Sequence, residues 1–184
     1  NSEVAEQEML TCGNGSNTFQ AYGEDAVLNG QRGGDTYQCT GNFGNDKIIE
    51  RSTRNSDQDD VLQIGAQMED VWFERTGSRD GLTITVDGQG SMPGSDASGT
   101  ISIGRQYNKY TDTGAVEQVS FGFNGTSSTQ TLGLADGKYG DNNSFNPDIY
   151  VAKQGLDNLE MKLGDHLYLN PGEGNAVLDF HSAS

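Results

Sequence analysis

Cys12-Gly-Asn-Gly-Ser-Asn17-Thr-Phe19, Tyr22-Gly-Glu-Asp25-Ala-Val27, Gln31-Arg-Gly-Gly-Asp35-Thr-Tyr37 and Asn42-Phe-Gly-Asn-Asp46-Lys-Ile48 are four versions of one short pattern. In each, a glycine stands one or two residues before an Asp or Asn, and a large apolar residue stands two after it. Glycine lets the backbone turn so that its carbonyls face a cation, and the short acidic side chain closes the cation's oxygen shell. The next residues form a short strand that sends one apolar side chain inward. Two such units make one coil of about 18 residues, the kind of internal period that decides an architecture. Residues 17 and 35 are 18 apart, so Asn17 and Asp35 are expected on one edge. Residues 25 and 46 are 21 apart, so the edge holding Asp25 and Asp46 is expected to bulge. Phe19, Val27, Tyr37 and Ile48 are expected to fill a narrow interior. Without cations the stacked carboxylates would repel, which ties folding to calcium.

The ordered series resembles the hemolysin-type calcium-binding (RTX) nonapeptide Gly-Gly-x-Gly-x-Asp-x-apolar-x. The segments Asp60-Val-Leu-Gln-Ile-Gly65, Glu69-Asp-Val-Trp-Phe-Glu-Arg75 and Gly81-Leu-Thr-Ile-Thr-Val86 look like the β segments that follow the last repeats of that family. No unit carries the full double-glycine pattern, Asn17 replaces Asp, and spacings of 8, 10 and 11 replace nine. The resemblance implies an all-β protein in which a short parallel β-roll over 12–60 leads into an antiparallel sheet or sandwich. It implies calcium as the cofactor, with Asn17, Asp25, Asp35, Asp46 and Asp60 as metal ligands. It also implies a secreted, extracellular or cell-surface location. Cys12 and Cys39 bracket the repeats, and in an oxidising compartment they are expected to form a disulfide.

Length suits one compact domain, or one domain with a small appendage. The 184 residues hold 26 glycines and only 32% hydrophobic residues, with a formal net charge of −16. Seventeen of the 27 acidic residues are Asp, many beside Gly or Asn, where they mark tight turns. The apolar residues gather in short alternating runs, which favours a folded chain over a disordered one. No basic stripe exists to hold a phosphate backbone, so nucleic acid is excluded as a partner. No run approaches the ~18 apolar residues of a membrane span.

Beyond residue 60 the expected strands are Val61–Ile64, Val71–Arg75, Leu82–Val86, Thr100–Ile103 and Val116–Phe123, read as antiparallel over 61–123. Residues 124–148 read as a polar loop or linker, and 149–184 as short C-terminal strands too few to form a domain alone. Residues 1–11 read as a lead-in or a donor strand. With the apolar tail Ala176–Phe180, they suggest self-association through terminal strands.

The chain has no Gly-x-Ser-x-Gly elbow and no His-Glu-x-x-His pair, and its two histidines, His166 and His181, lack further ligands at zinc spacing. The expected function is therefore non-enzymatic: a secreted, calcium-stabilised structural protein, such as an adhesin or a filament subunit. One alternative is a calcium-dependent accessory module of a larger secreted enzyme. Another is a carbohydrate-binding module that takes a polysaccharide on Trp72 and the tyrosines.

Overall fold

The computed structural model describes residues 8–23, 25–50, 59–76, 81–106, 115–134, 149–152 and 166–169. These residues are nearly all β, arranged mainly in two mixed sheets. The strands are β1 (Glu8–Thr11), β2 (Thr18–Ala21), β3 (Ala26–Gln31), β4 (Thr36–Cys39), β5 (Asn42–Glu50), β6 (Val61–Ile64), β7 (Val71–Thr76), β8 (Gly81–Asp87), β9 (Ser98–Ile103), β10 (Gln118–Phe121), β11 (Gln130–Gly133), β12 (Ile149–Ala152) and β13 (His166–Leu169). A 3-10 turn, Met68–Asp70, precedes β7.

The first sheet has the order β1-β3-β5-β9-β8-β7 and the second β11-β10-β6-β4-β2. Successive strands from β1 to β6 therefore alternate between the sheets, and neighbours within each sheet run parallel. Parallel neighbours normally require a long crossover. Here the crossover out of one sheet is itself a strand of the other, so turns of a few residues suffice. Gly33 shows how closely those turns stack. Its φ is +125°, and a Cβ there would lie 2.6 Å from the Gly15 carbonyl oxygen, so only glycine fits.

The core lies between the two sheets. In the second sheet Phe19, Tyr37, Leu62 and Val119 occupy one register row, and the Phe19 and Tyr37 rings stack with centroids 5.1 Å apart. Facing them in the first sheet is the row Leu10, Leu28, Ile48, Ile103 and Leu82. Phe73 of the first sheet meets Phe121 of the second edge-on at 6.4 Å.

Several expectations need correction. Leu28 joins the central cluster between the sheets, whereas Val27, though buried, stays outside it. Val27 pairs in register with the exposed residues Met9 and Lys47, on the outer side of the sheet. The parallel pairing does not stop near residue 60: β9 runs parallel to β5 and β10 parallel to β6. Among the described residues, only β7–β8, β8–β9 and β10–β11 are antiparallel. Alternating apolar residues report a strand but not the direction of its partner, which explains the misreading. The stretch read as a polar linker contains β11, and its residues 135–148 lie outside the described residues. Of the lead-in, residues 8–11 form β1 on the chain's own β3, while Val4 and Ala5 lie outside the described residues. β12 and β13 pair parallel with each other, and Ile149 and Val151 join the core. The rest of the expected C-terminal strands, residues 153–165 and 170–184 with the tail Ala176–Phe180, lie outside the described residues.

Cys12 and Cys39 stand unbridged, where a disulfide was expected. Cys39 ends β4 in the interior row Ala21, Cys39, Ile64, whereas Cys12 follows β1 at the edge of the opposite sheet, half-buried. Burial, with the Asp46 carboxylate adding to it, pushes the Cys39 thiol up, so it is inert as a nucleophile. Native alkylation followed by intact mass should therefore show one adduct, at Cys12, with Cys39 reacting only after unfolding. A native mass two hydrogens lower, with no adduct, would restore the disulfide.

Candidate metal centre

One ladder runs along the edge where the four parallel strands of the second sheet begin. Asn17, Asp35, Asp60 and Glu117 directly precede β2, β4, β6 and β10. The Asn17 backbone N–H donates to Asp35 Oδ1 at 2.8 Å, the Asp35 N–H to Asp60 Oδ1 at 2.7 Å, and the Asp60 N–H to Glu117 Oε2 at 2.8 Å. Each carboxylate thus reaches back one coil and accepts the amide that opens the previous strand. The expected 18-residue step holds for the first rung only. The next two rungs span 25 and 57 residues, because longer turns and the β7–β8 hairpin are inserted between coils.

At this edge Asp35, Glu50 and Asp60 come together, each at least nine-tenths buried, with carboxylate oxygens that all lie within 4.8 Å of one another. Glu50 arrives from the other sheet, at the end of β5. In that strand Asp46, Ile48 and Glu50 alternate into the interior and put an acid at each end of one apolar residue. The Tyr37 hydroxyl crosses between the sheets and donates to Glu50 Oε1. Gly30 forms the floor: a Cβ there would strike Tyr37 Oη, Asp35 Oδ2 and Glu50 Oε1, so these three oxygens converge over a bare Cα. The bulge that shifts the β3–β5 register falls between Asn29 and Gln31 and brings Gly30 there.

Asp35 is fully buried and its Oδ2 makes no hydrogen bond. Burial pushes its carboxyl up, against the lowering effect of the Asn17 backbone and side-chain hydrogen bonds. A buried, incompletely paired carboxylate is costly, and its usual remedies are a proton or a cation. The donors are all oxygen, which selects a hard cation. A cation held at calcium–oxygen distances spans ligands up to about 5 Å apart, so the spread of these oxygens fits one ion.

The opposite edge holds the other two expected ligands. Asp25 Oδ1 accepts from the Asn45 backbone N–H at 2.8 Å and from its side chain at 3.2 Å, while Asp46 Oδ1 accepts from the Ala26 N–H at 2.9 Å. Asp25 and Asp46 are not register partners. Asp46 stands opposite Ala26, one residue further along, so the register step on this edge is 20 residues. Asp46 is 2% exposed, its Oδ2 makes no hydrogen bond, and burial, with the Asp25 charge adding to it, pushes its carboxyl up to about 6.

Of the five expected ligands, the structure therefore brings Asp35 and Asp60 into one cluster, sets Asn17 beside it, and leaves Asp25 and Asp46 on the far edge. Sequence reasoning missed Glu50 and Tyr37. The period-2 alternation from Asp46 through Ile48 was the signal that would have placed Glu50 inside. Compared with models of known families and with curated proteins, the chain matches none.

Proposed function

We propose that this protein is a secreted, calcium-stabilised, non-enzymatic structural protein whose alternating two-sheet winding is a β-roll of the RTX kind. The observation that carries the reading is the buried Asp35–Glu50–Asp60 cluster over Gly30. Three carboxylates gathered in an apolar interior oppose folding unless a cation neutralises them, and calcium accepts the irregular all-oxygen shell that they offer. Calcium then acts as a structural rivet between Asp35 and Asp60 of the second sheet and Glu50 of the first. An adhesin or filament subunit fits this chemistry, since extracellular calcium would hold the fold in its working compartment. β1 and β2 end the two sheets on the same side of the stack, which gives an assembly contact a place to form.

Equilibrium dialysis against calcium, with terbium as a luminescent substitute, tests the site. Tyr37 touches Glu50, so excitation of tyrosine should sensitise bound terbium, and Glu50→Gln should weaken binding roughly tenfold or more by removing one ligand charge. Glu50→Gln binding like the wild type, or no calcium binding at all, would remove the reading. Sedimentation in calcium tests the structural role: growth of oligomers with concentration supports it, and a monomer throughout favours an accessory module.

A carbohydrate-binding role is the second reading, favoured by Trp72, which is 47% exposed on β7 with Thr85 as its register partner. Loss of glycan-array binding in Trp72→Ala would support it.

A further inference from the structure

The ladder of carboxylates has one exception, and it stands at the first rung. Where the later coils have Asp35, Asp60 and Glu117, the first has the amide of Asn17. That amide, in the partly exposed first turn, faces three acceptors. Its Nδ2 donates to the Gly13 carbonyl at 2.9 Å, the Gly15 carbonyl at 2.6 Å and Asp35 Oδ1 at 3.1 Å. All three neighbours are oxygens that can only accept, so the amide must present its nitrogen to them and not its oxygen. An NH₂ group has two hydrogens for these three acceptors. Two backbone carbonyls from a glycine turn and one carboxylate are the donor types that enclose a hard cation.

We infer that the Asn17 amide nitrogen stands in the place of a cation, so that the first turn of the stack closes without metal and cation binding begins at the Asp35–Glu50–Asp60 cluster. The inference rests on the calcium reading and deepens it, because it moves Asn17 from the expected ligand set to the role of an internal substitute for the ion. A carboxylate at this position would turn a negative oxygen towards Gly13 O, Gly15 O and Asp35, a repulsion that a cation between them would relieve. The turn's backbone is also held by contacts that do not involve the Asn17 side chain. The Gly15 N–H donates to the Arg32 carbonyl at 2.7 Å, and Gly33 packs against Gly15, so the second turn holds the first in place. A replaced side chain would therefore meet the same carbonyls.

Asn17→Asp and Asn17→Ala, compared with the wild type by calcium equilibrium dialysis and by melting in chelator and in calcium, decide the matter. Asn17→Asp should melt below the wild type in chelator, close that gap in millimolar calcium, and bind one more calcium per chain. Asn17→Ala should melt below the wild type by a similar amount in both conditions, with unchanged stoichiometry. The inference is overturned if Asn17→Asp gains no ion or stays unfolded in calcium. It is also overturned if Asn17→Ala binds one ion fewer than the wild type, which would mean that the native turn already holds one. A wild type that binds no calcium would instead defeat the functional reading, while the gain of an ion by Asn17→Asp would still be read on its own.

Discussion

Excess chelator is expected to lower the melting temperature of this protein by roughly 5–10 °C relative to calcium at a hundred times its dissociation constant. A single site at that saturation stabilises the native state by about 2.7 kcal/mol. For a domain of this size each kcal/mol moves the melting point by about 2–4 °C. The site that would respond is the buried Asp35–Glu50–Asp60 cluster, in which removal of the ion leaves three carboxylates sharing one apolar pocket. Glu50→Gln removes one of the charges. Its melting point should therefore fall less on chelation than that of the wild type, and the gap between the two in calcium should exceed the gap in chelator. Differential scanning calorimetry of both proteins in both conditions provides the comparison. Coincident wild-type curves in calcium and chelator would mean that the carboxylates are satisfied by protons or by protein donors, and the metal centre would have to be abandoned.

How far the sequence revealed this site depends on which chemical signal each residue carries. Asp35 and Asp60 each precede an alternating apolar segment, and Asp35 follows two glycines, so a turn residue feeding a strand could be read directly. Glu50 carries no turn signal. It becomes a partner only because two sheets face each other and Tyr37 reaches across, a contact between strands that local pattern does not encode. Glu117 was hidden for another reason. Its rung lies 57 residues beyond Asp60, with a hairpin between, so no period in the sequence connects them. Strand positions were legible almost throughout, because β-branched and aromatic residues at alternate positions mark a strand wherever it pairs. The parallel direction of β9 and β10 was not legible, since the insertion of β7 and β8 makes the segment look like a simple meander. The cysteines misled for a physical reason as well. Secretion suggested a bridge, but alternation along β4 points Cys39 into a row of apolar side chains, away from solvent.

In chelator, Asp46→Asn is expected to be more stable than the wild type at pH 7, by up to roughly 3 kcal/mol, and by only about a third of that at pH 4.5. The Asp46 carboxyl is pushed from an ordinary 3.8 up to about 6, first by burial and then by the Asp25 charge, against the lowering effect of the Ala26 hydrogen bond. The native state therefore binds more protons than the unfolded chain between those two values. Stability of the cation-free protein falls as pH rises through that window and levels off above it. A shift of about two units, at about 1.4 kcal/mol each, sets the upper bound of the effect. The groups around Asp46 support the direction. Asp25 carries the same charge, and the buried Cys39 thiol remains protonated, so neither stabilises the ionised form. An asparagine keeps an oxygen to accept the Ala26 N–H, so the substitution removes the charge while leaving that hydrogen bond available. Calcium should oppose the trend if it binds at either edge, because it requires ionised carboxylates and its stabilising effect grows as protons leave. Melting of the wild type and Asp46→Asn at pH 4.5 and 7, each with chelator and with calcium, separates the two contributions. An advantage of Asp46→Asn in chelator that is the same at both pH values would show that packing, and not the buried charge, distinguishes the two proteins. A wild type that is the more stable of the two at pH 7 in chelator would mean that the ionised carboxylate is stabilised by a protein donor.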